Sequence, residues 1–401
     1  MSKSNVALSN LRAVVIIIVL AFHSALAYIA SVPAQTSPFG EAPFTWQAFP
    51  VVDAHRWMGF DVFCAWQDVS LMSLMFFLSG LLASGSLRRK GAWTYLSDRL
   101  WRIGLPFVAA IIFLSPLAFY PAYLARTAQP TFLGFWQQWF SLPFWPSGPE
   151  WFLWQLLIAN VVAAGVFAVA PQSLNAFSRF ATWAGEQPVK FFGVLVGISA
   201  LAYVPLALIY SPWSWSSFGP FSMQLSRPAH YLVYFFAGFA LGSYALDRGL
   251  LASDGPLARH WLAWWGTAIV GFGFWAGLTS LTRPEWAQAN PLIQVASAVA
   301  YPVGCASGGL FLLAICLRFS DKRHWVLDSL SANAYSMYLI HYVFVVWLQY
   351  ALLGTGLYTF LKYAIVLTGA LVMSWASSVA FDRVFGAQLV AVRRAVSTVP
   401  H

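Results

Sequence analysis

The sequence predicts an all-α membrane protein, a bundle of ten transmembrane helices with both termini in the cytoplasm. Of its 401 residues, 60% are apolar and 9% are charged, whereas soluble domains contain about 45–50% apolar and about 25% charged residues. Ten segments approach the roughly 20 apolar residues that a spanning helix needs. Because no change in composition divides the chain, we expect residues 1–401 to form a single membrane domain.

The predicted spans follow one another with short connections, apart from a longer first outer loop at 31–68. Pro205 and Pro302 interrupt two of them, which is tolerated where neighbouring helices satisfy the freed backbone groups. A cleaved signal peptide is the alternative for the first span, but its apolar stretch continues through Ile29 and is long enough to cross the membrane. The ten spans are 13–30, 69–87, 103–125, 151–170, 191–210, 229–246, 260–281, 291–317, 330–352 and 363–381.

Basic residues are distributed unevenly between alternate loops, and cytoplasmic loops carry the excess. With the N-terminus inside, 17 Lys and Arg lie on the inner side and five on the outer side. This asymmetry explains the net charge of +9, so we expect no nucleic-acid partner. The outer residues are Arg56, Arg126, Arg227, Arg283 and Lys362.

His23 lies inside the first predicted span, and ionisable residues within a membrane are functional candidates. Eleven residues separate it from Arg12, which is about three helical turns, so both side chains share one face roughly 16 Å apart along the axis. His341 lies eleven residues into the ninth span, counted from Leu330, at the same depth of roughly 16 Å. The two histidines could therefore face one cavity, or could each only join neighbouring helices by hydrogen bonds.

Arg99 and Arg102 follow the second span and share one face of a helix. Since the guanidinium group suits bidentate phosphate binding, we expect them to form a polyanion site with Arg12 at the cytoplasmic side. On the outer side, Glu150 opens the fourth span and Asp53 lies in the first loop. Either could orient or deprotonate an acceptor. The simpler alternatives are that the helix dipole favours a carboxylate at the position of Glu150 and that Asp53 is a solvated loop residue.

These positions fit a transfer of an acyl group across the bilayer. The phosphates of acyl-CoA would bind the arginines and its thioester would reach His23, a residue type suited to base catalysis near neutral pH. A transporter or flippase is the alternative, because its helices also carry polar groups near the midplane. The three cysteines show no metal-ligand spacing, so we expect no metal.

The chain resembles the acyltransferase-3 family of multi-pass membrane O-acyltransferases. The resemblance is carried by "NLRAVVIIIVLAFHSALAY", "FFLSGLL", "RLWR", "WFLWQLL" and "YSMYLIH", which occur in family order between residues 11 and 341. It implies His23 as the catalytic histidine and Arg12, Arg99 and Arg102 as donor-site residues. The first outer loop is most similar to the branch that modifies periplasmic glucans.

The resemblance also implies the partners of the reaction: acetyl-CoA or succinyl-CoA as donor, a carbohydrate acceptor, and membrane lipid around a protein of the cell inner membrane. Two mechanisms remain open. His23 either deprotonates the acceptor hydroxyl or carries the acyl group itself before transfer. Glu150, Asp53 and His341 complete the set of candidate catalytic residues.

Overall fold

The structure is a computed structural model that describes residues 2–32, 37–282 and 285–397, with only the backbone described for 385–397. Nearly all of its regular structure is helical. The only strands in these ranges are β1 (Trp215–Phe218) and β2 (Phe221–Gln224), which form one antiparallel hairpin. The predicted all-α membrane architecture is therefore confirmed.

The α-helices are numbered in chain order. They are α1 Lys3–Ala25, α2 Met58–Lys90, α3 Ala92–Arg99, α4 Leu105–Ala109, α5 Ser115–Leu124, α6 Phe132–Ser141, α7 Trp151–Val169, α8 Ser173–Glu186, α9 Pro188–Tyr210, α10 Pro228–Tyr244, α11 Pro256–Arg259, α12 Trp261–Thr282, α13 Pro291–Phe319, α14 Trp325–Ala351 and α15 Thr359–Ser397.

Eight helical segments in the described ranges are long and apolar enough to cross a membrane. A ninth is obtained if α10 and the segment Gly249–Arg259, bent by 92°, count as one span. All ten predicted spans coincide with helices, but α14 is not among these nine because polar residues such as Asn333 and His341 lower its mean hydropathy. The count of ten and the cytoplasmic termini therefore stay predictions.

The first outer loop is shorter than predicted. α2 begins at Met58 rather than near residue 69, so Asp61 and Asp68 lie on a helix and not in the loop. Asp61 accepts hydrogen bonds from the backbone N–H groups of Ala30 and Ser31 at 2.7 and 2.9 Å. Its carboxylate thereby joins the beginning of α2 to the chain that leaves α1, which favours the early helix start.

Glycines allow α2 and α10 to pack with their backbones in contact. A Cβ atom on Gly238 would stand 1.9 Å from the Phe77 carbonyl oxygen, and one on Gly80 would stand 2.0 Å from the Phe235 carbonyl oxygen. Only glycine fits such an approach, which is common where small residues bring membrane helices together. The "FFLSG" stretch of the sequence is thus explained by helix packing.

The segment between α3 and α5 contains two π-helical turns, Leu100–Gly104 and Ala110–Leu114. Such turns leave carbonyl groups free for other donors. The indole N–H of Trp145 donates to the Ile111 carbonyl oxygen at 3.2 Å, so a residue of the next outer loop satisfies the second π turn. The first π turn contains Arg102 and therefore controls the direction of that side chain.

Basic residues on the predicted outer side are bound to carboxylates within the protein. Lys362 Nζ lies 2.7 Å from Asp53 Oδ2, and both side chains are almost wholly buried. Arg227 donates to both carboxylate oxygens of Asp68, at 2.7 and 2.6 Å, and is itself buried. These cations hold the tertiary structure together.

Arg126 and Arg56 fasten the first outer loop. Arg126 donates to the carbonyl oxygens of Pro50 at 2.7 Å and Phe49 at 3.3 Å, and Arg56 donates to that of Val32. Burial lowers the pKa of Arg126 to about 10, which is still high enough to keep the group charged near neutral pH. The fifth predicted outer cation, Arg283, lies outside the described residues.

We expect Lys362→Met to destabilise the protein by about 3–5 kcal/mol, because it leaves the Asp53 carboxylate buried without a counter-charge. Unfolding by heat or denaturant in detergent micelles measures the loss. The matched control is Lys3→Met, since Lys3 lies 3.5 Å from Asp321 with 76% of its side chain exposed and should have no measurable effect. Equal stability of the two variants would show that the Asp53–Lys362 pair is not structural.

Candidate active site

His23 lies in the last turn of α1 and is half-buried. The side-chain amide of Gln349 in α14 donates to the carbonyl oxygens of His23 and Ser24 at 2.9 and 3.2 Å. The end of α1 is thereby bound to α14 at the level of the histidine. Further down the same helix pair, the hydroxyl oxygens of Ser9 and Ser331 are 2.9 Å apart, so α1 and α14 run in the same direction.

The structure brings the two candidate histidines into contact. His341 Nε2 lies 3.2 Å from His23 Nδ1, and the ring centroids are 4.9 Å apart. His23 Nδ1 is also 2.9 Å from the Val19 carbonyl oxygen, and His341 Nδ1 is 2.6 Å from the Tyr338 carbonyl oxygen. His341 is wholly buried. The matched depths inferred from the sequence therefore correspond to a direct contact.

These contacts determine the tautomer of each neutral imidazole. A carbonyl oxygen only accepts, so His341 must carry its proton on Nδ1 to donate to Tyr338. Its Nε2 atom then has a lone pair, which accepts a hydrogen bond from His23 Nδ1. His23 is consequently protonated on Nδ1, consistent with the second acceptor at Val19. The Nε2 atom of His23 is left with its lone pair.

Glu150 reaches the neighbourhood of the histidines through a turn that packs on α14. The 3₁₀ turn Gly148–Glu150 precedes α7, and the hydroxyl of Tyr338 donates to the Pro149 carbonyl oxygen. A Cβ atom on Gly148, whose φ is 53°, would lie 3.1 Å from Glu150 Oε2 and 3.4 Å from the ring of Tyr342. The ring of Tyr342 also contacts His23, with centroids 5.3 Å apart. Glu150 Oε2 and the ring of Tyr342 therefore both lie close to Gly148, and the same ring contacts His23.

Asp53 lies beyond the end of α1 and has other partners. Its backbone N–H donates to the Ala27 carbonyl oxygen at 2.9 Å, and its carboxylate binds Lys362 and the backbone N–H of His55 at 2.7 and 2.8 Å. These bonds attach the first outer loop to α1 and α15. Asp53 is thus near the chain that carries His23, but both oxygens are already engaged within the protein.

Arg99 and Arg102 occupy one short stretch of chain but differ in their contacts. Arg102 Nε lies 2.9 Å from Asp98, whose other oxygen lies 2.8 Å from Lys90. The Arg99 guanidinium lies over the ring of Tyr95 at 4.9 Å, and its Nε atom is buried without a hydrogen-bond partner among the described residues. Arg99 is therefore oriented by an aromatic ring while retaining free donor capacity.

Arg12 is exposed on α1, and no hydrogen bond or ion pair of its side chain occurs in the ranges described. Ile16 and Val19, which lie between Arg12 and His23 on the same face, are buried. The structure thus joins His23 with His341 and brings Glu150 near them, and it groups Arg99 with Arg102. No contact in the described chain joins Arg12 to that arginine pair.

Sequence reasoning did not identify Tyr338 and Gln349 as parts of the site. Tyr338 supplies the carbonyl group that determines the tautomer of His341 and binds the turn before Glu150 with its hydroxyl. Gln349 binds the backbone at His23. Both lie in α14: Tyr338 precedes His341 by three residues and Gln349 follows it by eight. The unusual polarity of this helix was the one feature of the sequence that pointed to them. In the described ranges, no three His, Cys, Asp or Glu side chains could hold a metal ion.

Comparison with known proteins yields one family. No curated protein and no solved structure matches the chain. The family described as an acyltransferase domain matches residues 5–379, nearly the whole chain, including every candidate site residue discussed above. The chain therefore belongs to the acyltransferase-3 family and is a membrane acyltransferase.

Proposed function

We propose that this enzyme transfers an acetyl or succinyl group from cytoplasmic acyl-CoA to a hydroxyl of a carbohydrate on the outer side of the cell inner membrane. The observation that carries the proposal is the orientation of His23. Its Nδ1 atom is bound to Val19 and His341, so the lone pair of Nε2 is available to a substrate. An imidazole held in one tautomer is suited to removing a proton from a hydroxyl.

The proton balance of the reaction then follows from this single atom. His23 Nε2 takes the proton of the acceptor hydroxyl while the hydroxyl oxygen attacks the thioester carbonyl. The carbon–sulfur bond breaks, and the same Nε2 returns the proton to the departing thiolate, which leaves as CoA. An acyl-histidine route would form its covalent bond at the same lone pair. Both routes therefore need the tautomer that His341 selects.

His341 also supports the charge that develops on His23. When Nε2 takes a proton, His23 becomes an imidazolium, and its Nδ1–H bond to His341 Nε2 becomes charge-assisted and stronger. His341 cannot rotate away without losing its own bond to the Tyr338 carbonyl. We therefore assign His341 a positioning role, analogous to the third member of a catalytic triad.

The donor site is proposed around Arg99, Arg102 and Arg12. Arg99 has the buried, unpartnered Nε and the supporting ring of Tyr95, and Arg12 has no partner to displace. Arg102 would exchange part of its contact with Asp98 for a phosphate. Three guanidinium groups match the several phosphate charges of CoA.

The acceptor side is proposed at Glu150. It is 3% exposed and lies beside Tyr342, which contacts His23. Asp53 is equally buried, but its ion pair with Lys362 and its bond to His55 occupy both oxygens. Of the two outer carboxylates, Glu150 is therefore the one we assign to orienting the acceptor hydroxyl.

We expect His23→Ala to lower the rate of acceptor-dependent CoA release by at least about 10²-fold, the usual contribution of a general base. His341→Leu should lower kcat on the order of 10²-fold with the KM for acyl-CoA unchanged, because the imidazolium that forms on His23 then loses its bond to His341 Nε2. His341→Gln keeps an acceptor oxygen and should retain more activity than the Leu variant.

Thiol release from acetyl-CoA and succinyl-CoA, with and without a linear β-glucan oligosaccharide, measures these rates on the purified protein in detergent. His324→Leu is the matched control, since His324 is exposed on the surface just before α14. Full activity of His341→Leu would contradict the positioning role. After reconstitution into lipid vesicles, acceptor uptake without any CoA release would favour a transporter over a transferase.

We expect Arg99→Ala and Arg102→Ala each to weaken acyl-CoA binding by about 10-fold or more, through loss of a charged hydrogen bond to phosphate. Titration calorimetry of the folded variants measures the Kd. Arg323→Ala is the control, because Arg323 lies on the predicted cytoplasmic side but is 68% exposed and pairs with Asp328 at 3.0 Å. If all three variants bind acyl-CoA alike, the donor phosphates bind elsewhere.

We expect Glu150→Gln to raise the KM for the oligosaccharide or to lower acceptor-dependent turnover by about 10-fold or more, while the Kd for acyl-CoA stays unchanged. The substitution preserves shape and removes the titratable carboxyl group. Asp53→Asn is the comparison, and it should reduce thermal stability without an acceptor-selective effect because Asp53 binds Lys362. An acceptor-selective loss in Asp53→Asn, with no such loss in Glu150→Gln, would assign the acceptor role to Asp53.

A further inference from the structure

Gln155 is a buried amide side chain in α7 with no hydrogen-bond partner for either polar atom. It is 6% exposed, and both Oε1 and Nε2 are unsatisfied among the described residues. Among the described residues, Gln155 is the one buried amide with both polar atoms unsatisfied: Asn10, Gln67 and Asn333 each leave only the oxygen without a partner, and Gln349 and Asn160 bind within the protein. A buried amide without partners is costly, so its retention calls for an explanation.

Along the membrane normal, Gln155 lies between the proposed donor site at the arginines and the proposed acceptor side at Glu150. It follows Glu150 by five residues, which places it roughly 7.5 Å further along the helix axis toward the predicted cytoplasmic side. Phe152, one turn earlier, contacts Tyr338 of α14 and Phe76 of α2, with centroids 5.8 and 4.9 Å away. Gln155 is thus about one turn closer to the predicted cytoplasmic side than Tyr338. The next polar residue on the same helix is Asn160, which binds Tyr95.

A second unsatisfied amide occurs at a similar depth on α14. Asn333 donates from Nδ2 to the Ser329 carbonyl at 2.8 Å, while its Oδ1 atom is buried without a partner among the described residues. It precedes His341 by eight residues, or roughly 12 Å along the axis. Unsatisfied amide groups therefore occur on two helices between the arginines and the histidine pair.

We propose that Gln155 binds the amide groups in the arm of the acyl-CoA donor. This inference rests on the donor assigned under the proposed function. The arm that joins the CoA phosphates to the sulfur carries two secondary amides, each with one N–H and one C=O. Gln155 Oε1 would accept from an amide N–H and Nε2 would donate to an amide C=O, which satisfies both atoms at once. A purely apolar chain could not do this.

The test compares two ligands that differ by the arm. CoA contains the arm, whereas 3′-phosphoadenosine 5′-diphosphate keeps the nucleotide with all three phosphates of CoA and lacks the arm. Titration calorimetry of the full chain in detergent should show that Gln155→Leu raises the Kd for CoA about 10-fold and changes the Kd for 3′-phosphoadenosine 5′-diphosphate by less than twofold. Arg99→Ala should raise both. Gln155→Met, which keeps an unbranched side chain, replaces the Leu variant if the latter does not fold.

Asn160→Leu is the matched control on the same helix, because Asn160 is a buried amide whose partners lie within the protein. It should lower thermal stability with no arm-selective effect on binding. Equal affinities of Gln155→Leu and the wild type for CoA, or equal weakening of both ligands, would overturn the inference while leaving the acyl-CoA donor in place. If the wild type binds neither ligand and releases no CoA, the proposed donor and this inference fail together.

Discussion

The hydrogen bond between His23 and His341 is the interaction on which the centre of the structure depends. An imidazole inside a membrane protein is expensive to charge and therefore stays neutral unless a partner compensates it. A neutral imidazole has two tautomers, and only one of them leaves Nε2 of His23 free to act as a base. The Val19 carbonyl requires the proton on Nδ1 of His23, and the Tyr338 carbonyl supports the same tautomer, since it requires the proton on Nδ1 of His341 and so makes Nε2 of His341 an acceptor. Backbone geometry in α14 thus determines the chemistry available on α1.

The same helix also organises the rest of the site. Tyr338 contributes its backbone carbonyl to His341 and its hydroxyl to the turn before Glu150, so one residue contacts both the histidine pair and the turn that carries the acidic residue. Gln349 binds the end of α1, and the Ser9–Ser331 contact holds the other end of the pair. Because α1 and α14 are attached at several levels, His23 has little freedom to move away from His341. This rigidity is what a base positioned by a neighbouring group requires.

Periodicity and composition were sufficient to predict the long apolar helices and the common level of the two histidines. Eleven residues from Arg12 and eleven from Leu330 placed His23 and His341 at one level, where they are in fact in contact. The partners of charged residues could not be predicted in this way. Asp53 and Lys362 are separated by 309 positions, and Asp68 and Arg227 by 159, so only the folded helix arrangement brings them together. The early start of α2 at Met58 was missed because the polar residues there are typical of a loop in the sequence. The hydrogen bonds that Asp61 accepts from the backbone after α1 form only in the folded protein.

The pairing of charges gives the two sides of the protein different properties. On the predicted outer side Lys362 and Arg227 are neutralised by buried carboxylates, and Arg126 is bound to carbonyl groups. On the predicted cytoplasmic side Arg12 has no partner in the described chain, and Arg99 keeps a buried donor unpaired. Among the described residues, Arg12 and Arg99 on the predicted cytoplasmic side therefore offer an anionic ligand donor atoms that no carboxylate of the protein already binds. Under the proposed function, these free donor atoms favour the approach of a donor with several phosphates from the predicted cytoplasmic side.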